Sequence, residues 1–297
     1  LSRFGGADAV EDAASRHLVH TFQRLQAWAK GDVRAVLDIF LMRWDLLAVK
    51  SLVRCRHHDI DPPEAYASLV PGPSLTVALL HDLANRATME ALLTGISGWN
   101  ADAAQALRDA LPAYRESNDP ATLEEALDRW YFVTNAQALA TRQESTSQAL
   151  AQYLQLEIDR INVRNVFDYL NAPKHSEAPH AHLLAGGSIP MKLLHKMLEA
   201  GSVEGAMEQL GNTRYRKLVD ELFSLLQAQR VAPVIRYLER VLLDELHRSA
   251  VRDVLGLGVV MEFVWRKYNE VINLRLIARG LAGSLPKGRV REELAFV

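Results

Sequence analysis

The chain has 297 residues and 33.2 kDa, enough for a well-covered core, and 49% hydrophobic against 24% charged residues exclude a disordered polypeptide. A formal net charge of −2 removes the global basic field that would hold nucleic acid. The single cysteine, Cys55, excludes an intramolecular disulfide, and the most apolar stretch, residues 255–265, is interrupted by Glu262 and is too short to span a bilayer. Charge is uneven along the chain. From Gly211 onward 15 Lys/Arg stand against 10 Asp/Glu, a balance of +5, which leaves 19 against 26, or −7, for residues 1–210. One end is therefore suited to an acidic partner and the other to a basic one.

Taken in order, residues 9–55 read as helical with a break at Gly31-Asp32, and Leu37, Leu41, Trp44, Ala48 and Leu52 form one apolar stripe. Asp61-Pro62-Pro63-Glu64 is a helix start with Asp61 as cap, and Pro71-Gly72-Pro73 ends that short piece. Helices are predicted over 75–83 and 88–93, a loop over 95–98, and a weaker helix over 101–111. Asp119 is expected to cap a helix whose buried face is Leu123, Ala126, Leu127, Trp130 and Tyr131. The helical pattern continues to Leu170, with polar interruptions around Arg142–Ser147. A loop follows over Pro173–Pro179, and Gly186-Gly187-Ser188-Ile189 turns tightly into a helix starting near Pro190. Ser202 is expected to cap the next helix and Gly211-Asn212 the one after. Gly256-Leu257-Gly258 breaks the pattern ahead of a long final helix whose apolar stripe is Val264, Tyr268, Val271, Leu274, Ala278 and Leu281. Pro286 suits the first turn of one more helix. No alternating β-branched run is present, so the fold class is all-α.

A pattern recurs on the long helices. Asp45-x-x-Ala48-Val49-Lys50, Asp159-x-x-Asn162-Val163-Arg164 and Glu270-x-x-Asn273-Leu274-Arg275 return an acid, a small or amide residue, an aliphatic and a cation at intervals of 114 and 111 residues. The helices are thus expected to group into three repeats of roughly 110 residues, over residues 1–117, 118–212 and 213–297. Only 44 residues precede Asp45, so the first repeat is read as N-terminally incomplete. The acid and cation of each motif are five apart and do not pair within their helix, so Lys50, Arg164 and Arg275 need other partners. Arg279, one turn beyond Arg275, shares its environment.

Other constellations carry less. Gly256-x-Gly258 lacks the third glycine and the preceding strand of a dinucleotide loop. The histidines, His57-His58 and the group His175, His180 and His182, have no supporting acid or cysteine at metal-site spacing. Cys55 lies between Arg54 and Arg56 without an evident base. No catalytic residue, metal site or cofactor is expected. Three readings stay open from these residues alone: a partner-binding subunit, a helical-repeat adaptor, and an all-α enzyme with an unrecognised pocket.

The segment Lys267-Tyr268-Asn269-Glu270, with Asn273-Leu274-Arg275, Ala278-Arg279-Gly280, Leu285-Pro286 and Arg291-Glu292-Glu293-Leu294, closely resembles the C-terminal signature of the C subunits of V-type (A-type) ATPases, relatives of the d subunit of eukaryotic V-ATPase. Gly256-x-Gly258, Gly186-Gly187 before Ile189, and Asp159-x-x-Asn162-Val163-Arg164 look like the same family. The likeness runs from about Ala9 onward and departs at Ala48, where the pattern has Asn. What it implies is a funnel of three pseudo-threefold helical units: a non-catalytic central-stalk socket, one copy per complex, on the cytoplasmic side of the membrane. It would receive the central shaft and sit on the membrane rotor ring, with Lys50, Arg164, Arg275 and Arg279 as partner-binding residues lining or bracing the funnel.

Overall fold

The structure, a computed structural model, describes residues 5–140, 145–171, 183–217, 219–220 and 232–294. The predicted loop Pro173–Pro179, His175, His180 and His182 lie outside the described residues. The described residues form helices joined by turns and short loops, and no strand occurs among them. The helices are α1 (Gly6–Trp28), α2 (Gly31–His57), α3 (Pro62–Ser68), α4 (Val77–Ala84), α5 (Met89–Ile96), α6 (Ala101–Ser117) and α7 (Ala121–Ala140). They continue with α8 (Ser145–Asn171), α9 (Met191–Glu199), α10 (Val203–Leu210), α11 (Ala232–Arg252), α12 (Leu257–Ala282) and α13 (Lys287–Glu293). No helix among the described residues is long and apolar enough to cross a membrane.

Local chemistry sets the boundaries. Side-chain oxygens of Thr76, Thr88, Asn100 and Ser202 each accept the backbone N–H three residues on, which satisfies one exposed donor at the starts of α4, α5, α6 and α10. The first break falls at Ala29-Lys30, both extended, and Gly31 takes the left-handed φ of 56° that re-enters the helix. Asp61 occupies the cap position of α3, but its side chain makes no capping bond. Its carbonyl accepts the Ala65 N–H instead, at 2.8 Å. Two expectations shift. Helix α5 runs through Gly95 to Ile96, with Gly95 pressed close to Leu83, so only Ser97-Gly98-Trp99 form the turn. Helix α6 continues past Pro112 to Ser117, ending at a left-handed Asn118 whose N–H bonds the Tyr114 carbonyl. Proline there removes one ladder bond without stopping the helix.

The chain forms two compact units, residues 1–135 with 260–297, and residues 136–259. In the first, α2 packs against α1, α3, α4 and α5. Its whole predicted stripe, Leu37 through Leu52, is buried. Trp44 lies at the centre, in ring contact with Phe22, Phe40, Trp265 and Tyr268 at centroid separations of 5.2–5.8 Å. In the second unit α8 takes the corresponding part, packed by α9, α10 and α11.

The correspondence is one of register. The offsets 191 − 77 and 203 − 89 are both 114 for the starts of α9 on α4 and α10 on α5. That is also the spacing of Asp45 and Asp159. On α12 the predicted stripe holds at Val264 and Val271, which are buried, but Leu274 and Leu281 are exposed.

Candidate functional site

Asp45 sits in the middle of α2 and is fully buried. Its carboxylate accepts the N–H groups of Ser74 (3.1 Å) and Leu75 (3.0 Å) and the Ser74 hydroxyl. The Trp99 indole N–H in turn donates to the Ser74 hydroxyl oxygen at 3.1 Å. The loop reaches the carboxylate because Gly72 lies flat on the helix: a Cβ there would collide with the Asp45 side chain and its backbone nitrogen. Burial pushes the Asp45 carboxyl up to about 6, against the opposing pull of those hydrogen bonds.

Asp159, at the equivalent point of α8, repeats the device. Its carboxylate accepts the Ser188 hydroxyl and the Ile189 N–H at 2.9 Å, and a Cβ on Gly187 would strike it. Here Tyr215 donates its phenol directly, at 2.7 Å. Burial raises the Asp159 carboxyl, and burial together with the adjoining carboxylate raises the Tyr215 hydroxyl. Asn162 adds a second clamp: its amide donates to the Leu184 carbonyl at 2.8 Å and accepts the Leu184 N–H at 2.7 Å. Ala48, at the corresponding place on α2, can form neither bond. The third acid, Glu270 on α12, pairs with Lys267 one turn back at 2.8 Å and remains largely exposed.

The four cations singled out from the repeats have different surroundings. Lys50 is buried and reaches Asp128 on α7 at 2.5 Å; one turn further along α2, Arg54 grips Glu124 on α7 through two nitrogens, each at 2.5 Å. Arg164 is exposed and pairs with Asp168 on its own helix at 3.3 Å. Arg275 and Arg279 share one acid, the buried Glu11 of α1, at 3.4 Å and 2.5 Å. Burial pulls the Arg275 guanidinium below its ordinary range despite that carboxylate, while the hydrogen-bonded Glu11 raises the more exposed Arg279. Two of the three repeat cations thus tie separate helices together, α2 to α7 and α1 to α12.

Pro71-Gly72-Pro73 and Gly186-Gly187-Ser188-Ile189 are legible in the sequence as turns, but not as clamps on a buried carboxylate. Their signal is one of spacing: Ser74 and Ser188 both follow their aspartate by 29 residues, and Leu75 and Ile189 by 30. Glu11 and Asp128 leave no such trace.

Comparison with known proteins gives a consistent answer. The family model described as ATP synthase (C/AC39) subunit matches residues 1–293. The C subunit of the A-type ATP synthase of Methanosarcina acetivorans is 24% identical over 297 residues, covering 99% of this chain and 79% of that protein. The C subunit of the V-type ATP synthase of Deinococcus radiodurans is 28% identical, covering 97% and 75%. The corresponding A-type protein of Methanothermobacter thermautotrophicus is 27% identical, covering 96% and 74%. With its family model spanning nearly every residue and its all-α architecture, this chain belongs to the ATP synthase (C/AC39) subunit family.

Proposed function

We propose that this chain is the non-catalytic central-stalk subunit of a rotary A/V-type ATPase, a helical socket passing torque between the shaft and the membrane-embedded ring. The reading has it bound peripherally on the cytoplasmic side, one copy per complex, with three related helical repeats forming a funnel. The observation that carries it is the pair of buried aspartates, each clamped by its own turn at the same register in two copies of one unit. A torque-bearing joint must not creep. A buried carboxylate held by several donors fixes a loop against a helix in one geometry, since any slip strands a charge away from water. Family membership supports the assignment to the complex.

In this reading Lys50, Arg275 and Arg279 brace the socket wall from within through Asp128 and Glu11. Arg164 is exposed with only a local partner and is the cation best placed to exchange that partner on assembly. The test is charge reversal in the assembled complex. Arg164→Glu and Arg275→Glu are expected to weaken retention of the shaft or ring, or to let ATP hydrolysis run without ion transport. Intact pull-down and intact pumping in both variants, with only an earlier thermal transition of the purified chain, would show that these residues are merely structural.

A further inference from the structure

The stretch of chain that meets each buried aspartate is held differently in the two compact units. In the second unit residues 183–189 are fixed at two points. At one end Asp159 takes the Ser188 hydroxyl and the Ile189 N–H, with Tyr215 donating to the same carboxylate. At the other end Asn162, one turn on along α8, engages both backbone polar groups of Leu184, at 2.7 and 2.8 Å. Leu183, Leu184 and Ile189 are all buried. The first unit keeps the register, since 162 − 48, 184 − 70 and 189 − 75 are all 114, but it keeps one of the two points. Asp45 takes the N–H groups of Ser74 and Leu75 and the Ser74 hydroxyl, and Trp99 adds its bond on Ser74 at that same end. Ala48 has no polar side-chain atom to offer Val70, which makes no hydrogen bond among the described residues and is half-buried where Leu184 is buried. Pro71 and Pro73 stand where the second unit has Ala185 and Gly187. Each proline fixes its own φ and lacks an N–H, so the stretch is stiff but poor in donors.

We propose that residues 69–75 form a stiff strap that lifts from α2 in one step, because its polar attachment is confined to the Asp45 end, while the doubly tethered residues 183–189 stay on α8. A second tether a few residues away keeps the donors at high effective concentration beside their carboxylate, so a broken bond re-forms before the segment leaves. Without it, release of Asp45 leaves the strap held by the buried side chains of Leu69 and Leu75 alone. Such a segment belongs to the low-stability end of a structure and opens locally, without the helices that carry it. Lifting uncovers Asp45, a carboxylate that is fully buried when the strap is down, and parts Ser74 from Trp99. Asp159 stays covered, with Asn162 tethering the chain above it and Tyr215 reaching it from a separate segment. The strap is a property of the isolated chain and is independent of the central-stalk reading.

The test is amide hydrogen exchange of the full chain, with intrinsic rates divided out. The Leu75 N–H, bonded to Asp45, is expected to exchange about tenfold faster than the Ile189 N–H, bonded to Asp159. Asn162→Ala removes the second tether and should raise the Ile189 rate about tenfold relative to the amides in the middle of α8, a comparison that divides out any general loss of stability. Ala48→Asn is the converse variant: by returning a tether to Val70 it should slow Leu75 by about the same factor relative to the amides of α2. Should that asparagine fail to fold in its buried place, the wild-type and Asn162→Ala measurements decide the matter without it. Equal exchange of Leu75 and Ile189 in the wild-type chain would overturn the strap. So would an Ile189 amide that moves only in step with α8 when Asn162 is removed, since the tether would then have no part in keeping the segment down.

Discussion

A single methyl group at residue 72 or 187 would be driven into a buried carboxylate, so these two glycines are where the fold tolerates least. Gly72→Ala and Gly187→Ala are each expected to cost about 1–3 kcal/mol, as overpacking does, read as a lowered denaturant midpoint at unchanged slope. Gly288→Ala, with nothing near its added Cβ, should be close to neutral. The aspartate beneath makes a separate prediction. Its folded pKa of about 6 lies above the ordinary aspartate value of 3.8, so between those values the folded state binds the extra proton. The stabilisation from that proton is full below about 4 and lost as pH rises through about 6. Asp45→Asn removes the titration. Relative to this variant, the wild-type chain should gain stability as pH falls from 7 to 4, by up to about 3 kcal/mol for a shift of roughly two units. Parallel melting curves of the two proteins across that range measure it, and a wild-type chain that loses ground to the variant on acidification would contradict the sign.

At the scale of elements, ion pairs that look alike in sequence differ in worth because they differ in burial. Asp128→Ala leaves Lys50 buried without its acid and is expected to cost about 3–5 kcal/mol, whereas Lys50→Met with Asp128→Leu should recover most of that loss. Arg164→Ala removes an exposed pair within one helix turn and should change stability by no more than about 0.5 kcal/mol. Chemical denaturation of these variants beside the wild-type chain separates the cases. This contrast also marks how far the sequence can be read. The α2 stripe, the Ser202 cap and the 114-residue spacing of Asp45 and Asp159 are legible, because helical period, capping chemistry and repetition are local or self-similar. The need of Lys50 and Arg275 for partners is legible too, since neither can pair with the acid of its own motif. Which acids answer them is not: Asp128 lies 78 residues from Lys50, and Glu11 lies 268 residues from Arg279. Tertiary packing alone brings such groups together.

Across the whole molecule, the first compact unit is built from both ends of the chain, while the second is continuous. Residues 260–297 therefore belong energetically with residues 1–135. They give Trp44 its ring contacts with Trp265 and Tyr268, and they give the buried Glu11 both of its arginines. A chain ending at Val259 loses these aromatic pairs, worth about 0.5–1.5 kcal/mol each, and leaves a buried carboxylate without its cations. Those losses are comparable with the net stability of a domain, so the first unit should loosen. The second unit keeps the Asp159 clamp, Asn162 on Leu184, and the packing of α9, α10 and α11 on α8. Amide hydrogen exchange is the measurement: in the truncated chain, amides of α2 should exchange at least tenfold faster while those of α8 keep their protection. Equal acceleration in both helices would mean that the two units unfold as one cooperative block. The register shared by α2 and α8 would then describe how the chain is built, and not how its stability is divided.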